Sequence, residues 1–166
     1  ANTSLKKISV DGGAAVTLCD TGGIPRGGGF WSDDGNIFLA NQTTPVLRVS
    51  ANGGTPSPAT QLDKQKQEVT NRAAQLLPGG EAFLFEASTN NNLWEDATIQ
   101  VQTVKTGERK TPVQGGFFGR YIHGSDPAHG HLVYMPGGTL FAAPMDVKRL
   151  KLTGPAVPVL EDVANR

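Results

Sequence analysis

The sequence predicts an all-β chain whose strands form small four-stranded antiparallel sheets, arranged as the blades of a β-propeller. Three observations predict it. Helical periodicity is nearly absent, two kinds of turn alternate along the chain, and together they repeat about every 40–50 residues. A single propeller segment over residues 1–166 follows, as an incomplete ring of about three and a half blades.

The first kind of turn joins an apolar or aromatic run to a second apolar run through Asp, Gly or Gly-Gly. Gly29-Phe30-Trp31-Ser32-Asp33-Asp34-Gly35-Asn36-Ile37-Phe38-Leu39 shows it, and Gln75 to Phe85 repeats it around Pro78-Gly79-Gly80. Tyr121 to Met135 gives a longer version, expected to turn near His129-Gly130. The second kind links β-prone runs through Asp-Gly, Asn-Gly or Thr-Gly: Leu5–Leu18 around Asp11-Gly12, Val46–Pro56 around Asn52-Gly53, and Thr98–Glu108 around Thr106-Gly107. Glycine supplies the positive φ that tight hairpin turns need. Two polar stretches, Asp63–Glu68 and Ser88–Asp96, read as insertions between these units. Asp63–Leu77 is the best helical candidate, but its apolar residues are sparse, Pro78 closes it, and its first half reads as a solvated loop.

In chain order this gives a half blade over 1–22, then blades over 23–66, 67–115 and 116–166. Each blade buries its faces only against neighbours, so stacking is obligatory. An arc leaves its end blades bare, and closed rings generally hold four to eight blades or so. Self-association, as a homodimer or another closed homo-oligomer, is therefore expected.

Composition agrees. The 21 Gly and 11 Pro residues are scattered singly and in pairs, which suits many short strands joined by tight turns. Fifteen basic residues balance fifteen acidic ones, so no global field draws nucleic acid or an anionic membrane. No apolar run approaches the ~18 residues of a membrane-inserted helix, and no signal-peptide pattern is visible. Cys19 stands alone, which excludes an internal disulfide and reads as a small buried hydrophobe.

The run His131-Leu132-Val133-Tyr134-Met135-Pro136-Gly137-Gly138-Thr139-Leu140-Phe141-Ala142-Ala143-Pro144-Met145-Asp146 carries a family resemblance. With it go Pro25-Arg26-Gly27 to Phe38, Leu76–Gly80 with Phe83–Phe85, Lys105–Lys110 and Leu152–Leu160. The chain resembles TolB-like, WD-repeat-like β-propellers, in particular the sensor propeller on the C-terminal side of bacterial serine/threonine protein kinases. It departs from that pattern at Asn71 and Ala74, where relatives tend to carry His and Pro, and at Met145, which replaces an aromatic. The resemblance implies a bacterial scaffold or sensing propeller without enzymatic activity, and an extracytoplasmic or periplasmic setting. The chain itself carries no kinase phosphate-binding loop, His-Arg-Asp loop or Asp-Phe-Gly motif.

Several side chains are candidates for a site. Arg26, Arg72 and Arg120 fall near the starts of the three full inner strands, 46 and 48 residues apart. Either they converge to bind carboxylate or phosphate, or each pairs with a carboxylate or strand carbonyl and locks blades together. Trp94, in a polar insertion, is a weak candidate anchor for a partner. His123, His129 and His131 form a weak metal candidate, because a zinc site needs three or four ligands on rigid elements. No cofactor is expected. No Gly-x-Ser-x-Gly elbow occurs, and the adjacent carboxylate pairs Asp33-Asp34, Glu95-Asp96 and Glu161-Asp162 point to opposite faces of an extended chain. The expected function is a non-catalytic module that recognises a protein, peptide or small anionic ligand on one rim. The alternatives are a propeller hydrolase, lactonase-like or peptidase-associated, and a purely structural fragment. No inner-strand start carries a recurring acid, as a channel hydrolase would need.

Overall fold

The computed structural model describes residues 3–23, 25–41, 44–90 and 96–163, with the side chains of 25–27 outside that description. Among the described residues there is no helix. Strands β1 (Ser4–Lys7) and β2 (Val16–Asp20) pair antiparallel as a half blade. Blade one consists of β3 (Pro25–Trp31), β4 (Asn36–Asn41), β5 (Leu47–Ser50) and β6 (Ser57–Pro58). Blade two consists of β7 (Thr70–Leu76), β8 (Ala82–Ser88), β9 (Thr98–Thr103) and β10 (Arg109–Gln114). In blade three, β11 (Phe117–His123), β12 (His129–Met135) and β13 (Leu140–Asp146) are followed by an outer strand in two pieces, β14 (Lys151–Leu152) and β15 (Val157–Leu160). Each blade runs in sequence order from the innermost strand outward, and β3, β7 and β11 stand beside one another.

The candidate helix is a turn followed by a strand. Gln67 N–H donates to Lys64 O, Glu68 carboxylate accepts from Asp63 N–H, and β7 begins at Thr70. Burial explains the outcome: Thr70 and Asn71 are fully enclosed, and the hairpin they open supplies blade two with its core. The third inner hairpin also turns earlier than the sequence suggests. Gly124–Ala128 makes the turn, with Asp126 accepting from Ala128 N–H, so His129 and Gly130 already belong to β12.

Blades pack face to face through apolar layers. Phe38, Val46, Ala74, Phe83, Phe85 and Ala87 fill the contact between blades one and two, where Phe30 stacks on Phe38 at a centroid distance of 4.6 Å. Leu77, Ala82, Leu84, Ile99, Val101, Tyr121, Leu132 and Met145 fill the contact between blades two and three. Both contacts use β8, and all seven of its residues are buried. Leu5 and Cys19 of the half blade pack on Ile37, Leu39, Leu47 and Val49 of blade one. Burial and the charge of Asp20 push the Cys19 thiol up, away from a reactive thiolate.

Candidate functional site

One feature of the inner strands sets the frame. Each slips register against its partner: β3 between Pro25 and Gly29, β7 between Arg72 and Gln75, and β11 between Phe117 and Arg120. Each slip holds a residue in the left-handed region, Gly28 (φ 73°), Ala73 (φ 54°) and Phe118 (φ 59°), and these lie 45 residues apart in both steps. They are β-bulges at equivalent places. The residue that follows is small in every blade. A Cβ on Gly29 would lie 2.3 Å from Phe38 O, one on Gly119 would press on Ile99 at 3.0 Å, and Ala74 is buried.

In this frame the three arginines are not equivalent. Arg26 lies two residues before its bulge residue, Arg72 one before, and Arg120 two after. Their 46- and 48-residue spacing therefore does not keep step with the 45-residue repeat of the bulges. The side chain of Arg26 lies outside the described residues, as does Trp94.

What Arg72 and Arg120 share is Glu86, directly across the strand pair from Arg72. Glu86 is buried in β8 and accepts the N–H of Gly119 at 2.9 Å. Burial raises its pKa, opposed first by the Gly119 amide and then by the charge of Arg120, with smaller help from the Phe118 amide and Arg72. Arg120 Nη1 donates to Ala73 O of blade two at 2.9 Å and to Gly119 O at 2.8 Å, and its guanidinium lies over the Phe118 ring, 5.5 Å from the centroid. Arg72 Nε donates to Thr70 Oγ1 at 3.2 Å. Gln75 completes the seam, with its amide donating to Tyr121 O and accepting from Tyr121 N–H. These polar groups bind blade two to blade three. A lone Glu within the apolar run Ala82-Phe83-Leu84-Phe85-Glu86-Ala87 is the sequence signal that marks it, because a charge at a core position needs partners.

A second polar seam joins blades one and two. Arg109 Nη1 pairs with buried Glu68 at 3.2 Å, Arg109 also donates to Gln61 O, and its guanidinium rides over Phe85, 5.0 Å from the centroid. Glu68 accepts from Gln100 at 3.0 Å, and Asn71 accepts from Thr60 at 2.7 Å. Asn71, one of the departures from the family pattern, is thus a link in an inter-blade network.

The histidines do not assemble. His123 lies opposite Gly130, so it shares the face of Gly130, while His129 and His131 project from the other face of β12. His129 Nδ1 contacts Asp126 Oδ2 at 2.7 Å, and His123 Nδ1 contacts Gly124 O. Among the described residues no three His, Cys, Asp or Glu side chains gather as a metal ion requires.

The concave features lie at the opposite end of the inner strands, where the inner hairpins turn. A cleft of about 620 Å³ is lined by Ser32, Asp33 and Asp34 of blade one, Gln75–Gly80 and Val104 of blade two, and Tyr121 and His123 of blade three. A second cleft of about 420 Å³ continues past the same turn, between Glu81, Thr103, Asp126, Val147 and Lys148, and Pro78 and Gly79 line both. The Asp34 carboxyl is held below the usual carboxylate range by Ser32 and Asn36, and Asp126 by the Ala128 amide and His129. Both are anionic at neutral pH. This rim therefore offers one interrupted groove with apolar walls and carboxylates along it.

No family model matches the chain, and no curated protein matches it. Solved structures do. TolB of Acinetobacter baumannii superposes with a TM-score of 0.63 at 17% identity, over 90% of this chain and 36% of that one. The fold is that of a TolB-like β-propeller. The TolB-type propeller of Agrobacterium tumefaciens gives 0.64 at 12% identity, over 97% of this chain and 56% of that one. A chain of a nidogen/laminin complex gives 0.54 at 13%, over 91% of this chain and 70% of that one. This TolB-like arc thus spans between about a third and just over half of the two TolB chains it matches.

Proposed function

We propose that this TolB-like arc is a non-catalytic binding module that takes a protein or peptide segment across its inner-turn rim. The observation that carries this reading is the pair of adjoining clefts, about 620 and 420 Å³, straddling the Pro78-Gly79 turn. A run of peptide could lay successive side chains in the two. Leu76, Leu77, Val104 and Pro78 give apolar contact, and Asp33, Asp34, Glu81 and Asp126 outnumber Lys148. A segment carrying Lys or Arg fits this lining better than an anion. The arginines offer an anion little, since Arg120 is spent on Ala73 O and both flank Glu86. The nidogen/laminin match is to a chain in a protein complex, which agrees with protein binding.

The test is a panel of immobilised random peptides of basic, neutral and acidic composition. Basic peptides should bind best, and Val104→Glu or Asp33→Lys should weaken that binding at least about tenfold without changing the melting temperature, whereas Arg72→Ala should leave the peptide preference intact. Binding insensitive to both rim substitutions overturns the reading. Self-association belongs to the same proposal, supported by the exposed Phe118, Ile122, Val157, Val159 and Leu160 of blade three. Light scattering after size exclusion should show more than one chain per particle, and a strict monomer at micromolar concentration removes that part alone.

A further inference from the structure

The inner-strand frame fixes where the rim begins. Trp31, Leu76 and Tyr121 each stand three residues beyond Gly28, Ala73 and Phe118. Leu76 and Tyr121 wall the larger cleft, whereas Trp31, 57% exposed, takes no part in it. Two chain segments separate the clefts. Pro78 and Gly79 line both, and on the outer hairpin Thr103 lines the smaller cleft while Val104 lines the larger. Val104 N–H donates to Glu81 O at 2.8 Å, so the two segments form one tied saddle. Its crest is bare main chain. Gly79 and Gly80 hold φ of 90° and 72°, and a Cβ on either would meet nothing within 4 Å. An extended chain can therefore cross from one cleft to the other with no side chain in its way.

The carboxylates beside this saddle are of two kinds. Asp34 accepts from Asn36 N–H at 3.0 Å, from Asn36 Nδ2 at 2.8 Å and from the Ser32 hydroxyl. Asp126 accepts from Ala128 N–H at 2.9 Å and lies 2.7 Å from His129 Nδ1, and the charge of Lys148 acts on it as well. These two hold their own turns together. Asp33 in the larger cleft and Glu81 in the smaller are exposed, and among the described residues neither carboxylate has a hydrogen bond or an ion pair.

Taking the rim as a peptide site, we propose that the saddle selects a dibasic segment bound in extended form. One Lys or Arg pairs with Asp33 and a second with Glu81, one on each side of Gly79, with one or three residues between them. The odd number follows from the geometry of a strand. Successive side chains point to opposite faces, so only positions i and i+2, or i and i+4, send both cations toward the saddle. The short span follows from the clefts. Volumes of about 620 and 420 Å³ make each roughly 10 Å across, about three residues of extended chain. The aliphatic stem of the cation in the larger cleft lies along Leu76, Leu77 and Val104 while its charged end reaches Asp33.

The probes are capped peptides of Gly, Ala and Ser that carry one Lys, or two Lys at i and i+2, i and i+3, or i and i+4, titrated by calorimetry. The i,i+2 or the i,i+4 peptide should bind about fivefold more tightly than the single-Lys and i,i+3 peptides. Asp33→Asn and Glu81→Gln should each abolish that advantage at unchanged melting temperature. Both should leave the single-Lys peptide within about twofold, because either carboxylate can serve it. Gly79→Asn, a residue that tolerates positive φ, places a side chain on the crest and should weaken only the two-Lys peptides. Equal binding of one-Lys and two-Lys peptides, a preference for i,i+3, or an advantage that survives any of these three substitutions overturns the dibasic proposal and leaves the rim reading standing. Failure of every basic peptide to bind overturns both.

Discussion

Tyr121 and Trp31 occupy one position of the repeating blade and live in opposite surroundings. Around Tyr121 the junction of blades two and three is sealed by Leu77, Leu84 and Leu132, with Glu86, Arg120 and Gln75 bridging the main chains. Around Trp31 the corresponding junction is built only in its outer half. The difference shows that the burial of an inner-strand residue is set by the preceding blade's hairpin and not by the residue itself. A large aromatic at this position is neutral until that hairpin is present.

The comparison breaks most sharply under truncation. Leu84 is completely buried in the sealed junction, so Leu84→Ala should cost about 2–5 kcal/mol in denaturant unfolding, through lost transfer energy and the cavity left behind. Trp31→Ala should cost less than about 0.5 kcal/mol, because the ring is mostly in water already. Equal losses would mean that the flank of blade one is covered in solution and that the contrast between the two junctions is false.

That contrast also separates what the sequence displays from what it hides. Both turn types were legible because Gly35 and Gly80, or Gly12, Gly53 and Gly107, need positive φ where a strand reverses, and all five have it. The number of strands per blade followed from them. The bulges were hidden, since two of the three left-handed residues are Ala73 and Phe118, types that do not advertise such a backbone. Without the bulges, Arg26, Arg72 and Arg120 look equivalent when they are not. Glu86 stands in the sequence as a charge in an apolar strand, but its partners come from the next blade and are brought to it only by packing. The groove around Pro78-Gly79 was not legible, because its walls come from turns distant in sequence that only blade packing brings together. The 46-residue step from Arg26 to Arg72 is one residue longer than the 45-residue repeat, so the two stand at different places relative to the bulge.

The sealed junction can be sharpened by pH. Burial holds the folded pKa of Glu86 above its unfolded value, so the folded state binds more protons there than the unfolded one. The contribution of this group to stability is fully present below the ordinary carboxyl range and is lost as pH rises through the folded pKa. Asp34, Asp126 and Asp146 act in the opposite sense: their pKa values are lowered, so their contributions exist at neutral pH and disappear on acidification. Glu86→Gln should therefore remove the decline in melting temperature on the alkaline side of the carboxyl range and leave the acid limb unchanged. An unaltered alkaline side would show that Arg72 and Arg120 compensate the charge fully.

The smallest effect tests the bulge frame itself. Ala73 holds φ 54° at the place where blade one has Gly28, and a Cβ in that region costs roughly 1–2 kcal/mol relative to a right-handed backbone. Glycine removes that strain but gains freedom in the unfolded chain, which opposes it by about 0.4–1 kcal/mol. Ala73→Gly should therefore be close to neutral or stabilise by up to about 1 kcal/mol, although glycine inside a strand ordinarily weakens it. Ala74→Gly, one residue on, has no left-handed backbone to relieve and a buried methyl to lose. It should destabilise by about 1 kcal/mol. Opposite signs for two adjacent alanines place the bulge at Ala73; equal losses at both would refute the 45-residue frame on which the equivalence of Trp31 and Tyr121 rests.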